Sequence, residues 1–165
     1  MHWTALVVLL LLCYAVAVVG AFITRHNLAW YADLIHPSFT PPDRVFAPVW
    51  TILYGLMAVA AWLVWRATRR SRRDIAGNFA RVAARKDALA LFGIQLAFNF
   101  AWTFSFFHLH RLLVSVAVIL ILWIAIVATI ILFWRIRTLA GLLLLPYLAW
   151  VSFATALNLF LLRLN

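Results

Sequence analysis

An all-helical membrane domain of five spans, a five-helix transmembrane bundle, is what this sequence predicts, and three observations carry the prediction. Hydrophobic residues make up 68% of the 165 residues and charged residues 11%, a balance outside the range of soluble globular domains. The mean hydropathy is +1.05. Apolar runs of span length recur at about 3–23, 45–65, 88–107, 112–134 and 139–162, and about 20 residues of helix cross a hydrocarbon core. The runs are continuous rather than alternating, so the backbone satisfies itself as helices and not as barrel strands. One membrane domain covering 1–165 follows.

The net charge of +10 invites a nucleic-acid reading until the charges are located. Eight of the 14 basic residues (Arg66, Arg69, Arg70, Arg72, Arg73, Arg81, Arg85 and Lys86) fall between the second and third spans. With five spans, Arg135 and Arg137 share that side, and Arg25, Arg44, Arg111 and Arg163 take the other. This is the positive-inside pattern. It places the amino terminus in the cytoplasm, and the first loop and carboxyl terminus outside. The charge is topology, with attraction to anionic membrane lipid added, and no nucleic-acid partner is expected.

The first span is aliphatic and suits a lipid-facing helix. Ala15-Val16-Ala17 resembles a signal-peptidase site, but the flank lacks Lys or Arg and the run exceeds a normal signal core, so a retained span is expected. Cys13 is the single cysteine and reads as a small packing residue. Between the first two spans, Pro37, Pro41, Pro42 and Pro48 forbid one continuous helix. Trp30, Tyr31, Phe39, Phe46, Trp50 and Tyr54 give that stretch more aromatic surface than a tether needs, which predicts a rigid lid over one end of the bundle. In the second span Pro48 sits in the first turn, and Trp50, Leu53, Tyr54, Met57 and Ala61 form one helical stripe.

Beyond the second span, Ile75, Phe79 and Val82 make the later half of the Arg-rich connection a basic surface helix or an ordinary solvated loop. The third span has two faces. Gln95, Asn99, Trp102 and Phe106 share a sector, and amides inside a membrane normally point into the bundle or a cavity. Gly93, Ala97 and Ala101 lie opposite as small-xxx-small, suited to close packing within the chain or across a homodimer. The fourth span, broken only by Ser115 and Thr129, is a structural wall. His108 and His110 in the turn before it read as interfacial histidines, with haem ligation as the alternative. The fifth span is interrupted by Pro146, after which Tyr147, Trp150, Ala154, Leu157 and Leu161 share a stripe bordered by Asn158.

Trp50 and Tyr54, Asn99 and Trp102, and Tyr147, Trp150, Ala154 and Leu157 thus point toward one interior that Tyr31 can cover. An apolar cavity with a few placed polar groups is the usual small-molecule site, and indole rings are flat walls for stacking. From the residues alone, a flat hydrophobic ligand and plain core packing both remain open.

Three segments resemble the TspO/MBR family of tryptophan-rich sensory and translocator (peripheral benzodiazepine receptor) proteins. They are Trp30-Tyr31-x-x-Leu34-x-x-Pro37-x-Phe39-x-Pro41-Pro42 with Phe46, Pro48, Trp50-Thr51 and Leu53-Tyr54; Gln95-Leu96-x-x-Asn99-x-x-Trp102 with Phe106-Phe107; and Leu145-Pro146-Tyr147-Leu148-x-Trp150 with Ala154 and Leu157-Asn158. The resemblance implies a five-helix bundle, often a homodimer, binding porphyrins such as protoporphyrin IX or haem-type tetrapyrroles. For some members it extends to benzodiazepine- or isoquinoline-type ligands and, in animals, cholesterol. The implied pocket residues are Tyr31, Trp50, Asn99, Trp102, Trp150, Ala154 and Leu157. It also associates Trp50 and Trp150 with light-dependent porphyrin breakdown, the one catalytic candidacy here. Phe39 stands where many members have Trp, and Arg44 where an aromatic is usual. Phe160 replaces the Tyr of the cholesterol-recognition pattern between Leu157 and Arg163, which weakens a sterol role.

The sequence offers no nucleophile–base pair, metal-ligand cluster or phosphate loop, so no required cofactor or metal is expected. Asp33, Asp43, Asp74 and Asp87 are its only acids and all lie in loops, which argues against ion-coupled transport and leaves facilitated passage. The predicted role is sensor, carrier or regulator of tetrapyrroles in a bacterial inner membrane.

Overall fold

The structure is a computed structural model that describes residues 2–67 and 75–165, with side chains described for 3–67 and 82–165. The arginines at 69, 70, 72 and 73, and the side chains of Ile75, Phe79 and Arg81 on which the expected surface helix rests, lie outside these.

Every regular element among the described residues is helical. They are α1 (His2–His26), α2 (Leu28–Ala32), a 3-10 turn (Asp43–Val45), α3 (Phe46–Arg66), α4 (Ile75–Thr103), a π-helical turn (Phe104–His108), α5 (Leu112–Ile136), α6 (Thr138–Leu142) and α7 (Leu145–Leu164). Five segments are long and apolar enough to cross a membrane. The later half of the Arg-rich connection is indeed helical, but it runs unbroken into the third span. At about 1.5 Å per residue, the 29 residues of α4 reach about 43 Å. That exceeds a hydrocarbon core of about 30 Å, so α4 extends beyond the bilayer. The fifth span breaks at Leu143 and Leu144, and Pro146 opens α7 in the first turn, where its missing N–H is harmless.

Helix α1 lies along α3, α4 along α5, and α5 along α6 and α7, whereas α3 and α7 meet only sparsely. Fully buried Ala58, Ala60 and Ala61 let neighbouring backbones approach α3 closely. Gly141 serves α6 in the same way, since an added Cβ would stand 2.8 Å from the Trp134 ring and 3.1 Å from its Cα. At the Arg-rich end, Trp3 stacks on Trp62 at 5.6 Å, Arg66 covers Trp62 and Arg85 covers Trp65. That is the aromatic and cationic composition of a membrane interface.

At the opposite end the first loop is fastened to the end of α7. The Asn165 carboxamide accepts from the Ile35 N–H at 2.9 Å and donates to the Ile35 carbonyl at 3.2 Å. Phe39 packs edge-on against Phe153 and Phe160. On α4, Gly93 and Ala97 are exposed and Ala101 half-buried, with nothing within 4 Å of an added Gly93 Cβ. Packing within the chain therefore makes no use of Gly93. That face looks outward.

A candidate ligand-binding site between four helices

Because α3 and α7 diverge, a cavity of about 420 Å³ opens between α1, α3, α4 and α7, next to the first loop. Its walls are mostly apolar. Trp50 and Trp102 stand at 6.2 Å between ring centroids and 30° between planes, a stacked indole pair that forms one wall. Phe106 extends that wall, parallel to Trp102 within 29° at 6.1 Å. The π-helical turn places an extra residue in the last turn of this span, bringing the sequence neighbours Phe106 and Phe107 both to the cavity. Ala154 and Leu157 of α7 line the other side, with Ala154 leaving space where a larger residue would fill it.

Of the sequence-predicted residues, Tyr31, Trp50, Tyr54, Trp102, Ala154 and Leu157 line this cavity. Asn99 and Tyr147 lie beneath it, with 0% and 1% exposure. The Tyr54 hydroxyl donates to Asn99 Oδ1 at 2.5 Å, Asn99 Nδ2 donates to the Tyr147 hydroxyl at 2.9 Å, and that hydroxyl donates to Gln95 Oε1 at 3.0 Å. This chain ties α3, α4 and α7 together. It engages both the oxygen and the nitrogen of the Asn99 amide in ties between helices, while the Gln95 Nε2 is left buried without a partner. A second amide works in parallel. Asn158 Oδ1 accepts from the Trp102 indole N–H at 3.2 Å and lies 3.2 Å from the Ser115 hydroxyl, so Ser115 gives the α5 wall a polar tie.

Trp150 is placed elsewhere. Its ring meets the cavity-lining Phe46 edge-on at 5.7 Å, and it lines a separate shallow groove with Val49, Ile52, Leu53 and Phe153 on the other side of the α3–α7 seam. Trp50 and Trp150 therefore do not share one chamber. His108 and His110 are exposed at the α4–α5 turn. His110 stacks on Trp30 at 4.2 Å and lies 3.0 Å from Asn27 Oδ1. Among the described residues no three His, Cys, Asp or Glu side chains gather as a metal site.

Sequence reasoning missed the wall supplied by α1. Ala17, Gly20, Ala21 and Thr24 line the cavity at i, i+3, i+4 and i+7, small residues on one helical stripe. That spacing was the available signal, hidden because α1 otherwise faces outward, with only 6% of its most apolar window buried. Arg25 at the end of α1 and Asp43 ahead of α3 supply the charged rim. Tyr31 is 7% exposed, and its buried hydroxyl has no hydrogen-bond partner. Burial, with Asp43 adding to it, pushes that hydroxyl up to about 12, so it remains a neutral donor at physiological pH.

A family model described as the TspO/MBR family matches residues 8–164. The chain is 39% identical over 156 residues to the tryptophan-rich protein TspO of Chlorobaculum tepidum, covering 93% of this chain and 91% of that protein. It is 36% identical over 165 residues to the tryptophan-rich sensory protein of Cereibacter sphaeroides, covering 100% and 94%. The human translocator protein is 36% identical over 137 residues, 83% of this chain and 75% of that one.

The hydrogen-bond chain beneath the cavity makes a prediction about Tyr147. Tyr147→Phe leaves Asn99 Nδ2 and Gln95 Oε1 unpaired in an apolar interior and is expected to cost about 1–2 kcal/mol. Thermal unfolding in detergent should show a lowered midpoint. An unchanged midpoint would mean the chain carries no stability.

Proposed function

The chain belongs to the TspO/MBR family, and from that membership we propose that it binds porphyrin- or haem-type tetrapyrroles in the cavity between α1, α3, α4 and α7. In this reading it is an integral membrane protein acting as a sensor, carrier or regulator of tetrapyrrole levels. The observation that carries the reading is the indole wall of Trp50 and Trp102 along an apolar cavity of about 420 Å³. A conjugated macrocycle offers a large polarisable face, and indoles along an apolar cavity match such a face better than they match a branched aliphatic molecule. Light-dependent porphyrin breakdown that needs both Trp50 and Trp150 draws less support, because Trp150 lies across the seam from the cavity.

The positive-inside charge pattern and the stacking of Trp3 on Trp62 support an amino terminus on the Arg-rich, cytoplasmic side of a bacterial inner membrane. The outward Gly93, Ala97 and Ala101 face supports a homodimer built on α4. Single-cysteine variants on a Cys13→Ser background test both statements in intact cells. Asp33→Cys should react with a membrane-impermeant maleimide added outside, and Gly93→Cys should form a disulfide-linked dimer on mild oxidation. An unreactive Asp33→Cys would reverse the topology, and a monomeric Gly93→Cys would remove α4 from the interface.

Ligand binding is tested by quenching of tryptophan fluorescence with protoporphyrin IX in the dark. The proposal expects saturable quenching, weakened about three- to tenfold in Trp50→Phe and Trp102→Phe by loss of indole stacking. Trp150→Phe should leave the affinity within about twofold, since that ring stays outside the cavity. Quenching that never saturates, or that ignores Trp50 and Trp102, would reject the site.

A further inference from the structure

At the Arg-rich end, far from the cavity's rim, α1, α3 and α4 meet in a corner built from indoles and guanidinium groups. Trp62, Trp65 and Arg66 fall at i, i+3 and i+4 and share one face at the end of α3. Trp3 of α1 stacks on Trp62, and the Arg66 guanidinium lies over the Trp62 ring at 4.5 Å. Arg85 crosses from α4, stands over the Trp65 ring at 4.9 Å and donates from Nη1 to the Trp65 carbonyl at 3.3 Å. That carbonyl belongs to the peptide bond joining Trp65 to Arg66, so the two arginines are brought together at one helix end. It is also one of the acceptors a helix leaves open at its C-terminus, and Arg85 is therefore fixed by cap and ring at once. With Nη1 engaged and Nε buried, Nη2 is the Arg85 group that an outside acceptor can reach. Arg66 is exposed. Neither guanidinium has an acidic partner among the described residues. Asp87, the one described acid at this end, is two positions from Arg85 and turned to another side of α4.

We propose that this corner is a binding site for one anionic glycerophospholipid, its phosphate bridging Arg66 and Arg85 and its acyl chains passing the exposed Trp3 and Trp65 into the bilayer. Depth identifies the occupant. The second span ends at Arg66, where hydrocarbon gives way to headgroups, and the anion held at that level is lipid phosphate. A guanidinium grips phosphate through paired N–H groups. Stacking on an indole holds each guanidinium in place beforehand, which lowers the ordering cost of binding. A zwitterionic lipid brings its own cation to the same place and is disfavoured. The site is distinct from general attraction to a basic surface. Arg135 and Arg137 carry the same charge at the same end, but among the described residues only Arg66 and Arg85 stand over indole rings. Nothing here depends on what the cavity holds.

The test titrates the full-length protein in neutral detergent with phosphatidylglycerol or phosphatidylcholine and counts bound lipid by native mass spectrometry. Wild type is compared with Arg66→Gln/Arg85→Gln and with Arg135→Gln/Arg137→Gln, which removes the same charge from the same end but outside the corner. The first phosphatidylglycerol should bind about tenfold tighter than phosphatidylcholine, as expected for two charge-assisted contacts at an interface. That preference should fall to about twofold or less in Arg66→Gln/Arg85→Gln and change by less than about twofold in Arg135→Gln/Arg137→Gln. Arg85 also caps α3, so if the double variant does not fold, Arg66→Gln alone carries the test and should weaken the preference about threefold. Inorganic phosphate should not displace the lipid. No preference in the wild type, a preference that survives loss of the corner arginines, or equal loss in both double variants overturns the proposal. Displacement by inorganic phosphate would assign the corner to a soluble anion and overturn it as well.

Discussion

Asn99 holds the centre of this bundle. In a membrane the hydrophobic effect gives helices little reason to choose one another, because lipid tails are as apolar as leucine. A carboxamide at 0% exposure is different, because its donors and acceptor must be met inside the protein. Asn99 meets them with a tyrosine from α3 and a tyrosine from α7, and Gln95 one turn earlier takes the next link. This fixes which helices are neighbours and how they are rotated. Asn158 repeats the device for α7, α4 and α5.

The cavity is a consequence of those two ties. They bridge from α4 to α7 through side chains and draw Tyr54 inward, while α3 and α7 themselves meet sparsely. The space between is lined by residues that the ties orient: Trp102 through its indole N–H and Tyr54 through its hydroxyl. On the open side α1 contributes small residues, and a Cβ added at Gly20 would stand 3.6 Å from Thr103, an ordinary contact. At the end, Phe46, Phe106 and Leu157 pack with Tyr31 in a small cluster of their own. The loop above is tied by the Ile35–Asn165 pair. Polar satisfaction sets the floor, aromatic stacking the wall, and chain ends the rim.

Much of this was legible in the sequence. Hydropathy located the five spans, because a run of that length has few other solutions, and the Gln95–Asn99–Trp102–Phe106 sector identified the inward face of α4. Four things were less legible, each for a physical reason. Periodicity reports which side of α7 is apolar but not which of two apolar spaces Trp150 enters. An amide near a cavity reads the same whether it faces a ligand or braces two tyrosines, so Asn99 and Tyr147 were expected at the ligand and lie beneath the floor instead. The α1 stripe of Ala17, Gly20, Ala21 and Thr24 is small rather than aromatic, and small residues signal close packing and empty space alike. The helical stretch before the third span was visible as a pattern, but its continuity with that span was not, because charge marks where lipid ends and not where a helix ends.

The central claim is that the ties of Asn99 and Asn158 shape one ligand chamber walled by Trp50 and Trp102. The most direct measurement is an experimentally determined structure of the full-length protein with protoporphyrin IX bound. The account predicts macrocycle density within van der Waals contact of Trp50, Trp102 and Phe106, with Asn99 still bonded to Tyr54 and Tyr147. A macrocycle lying in the groove of Trp150, Ile52 and Phe153, or one bonded to Asn99 with its tyrosine contacts broken, would contradict it.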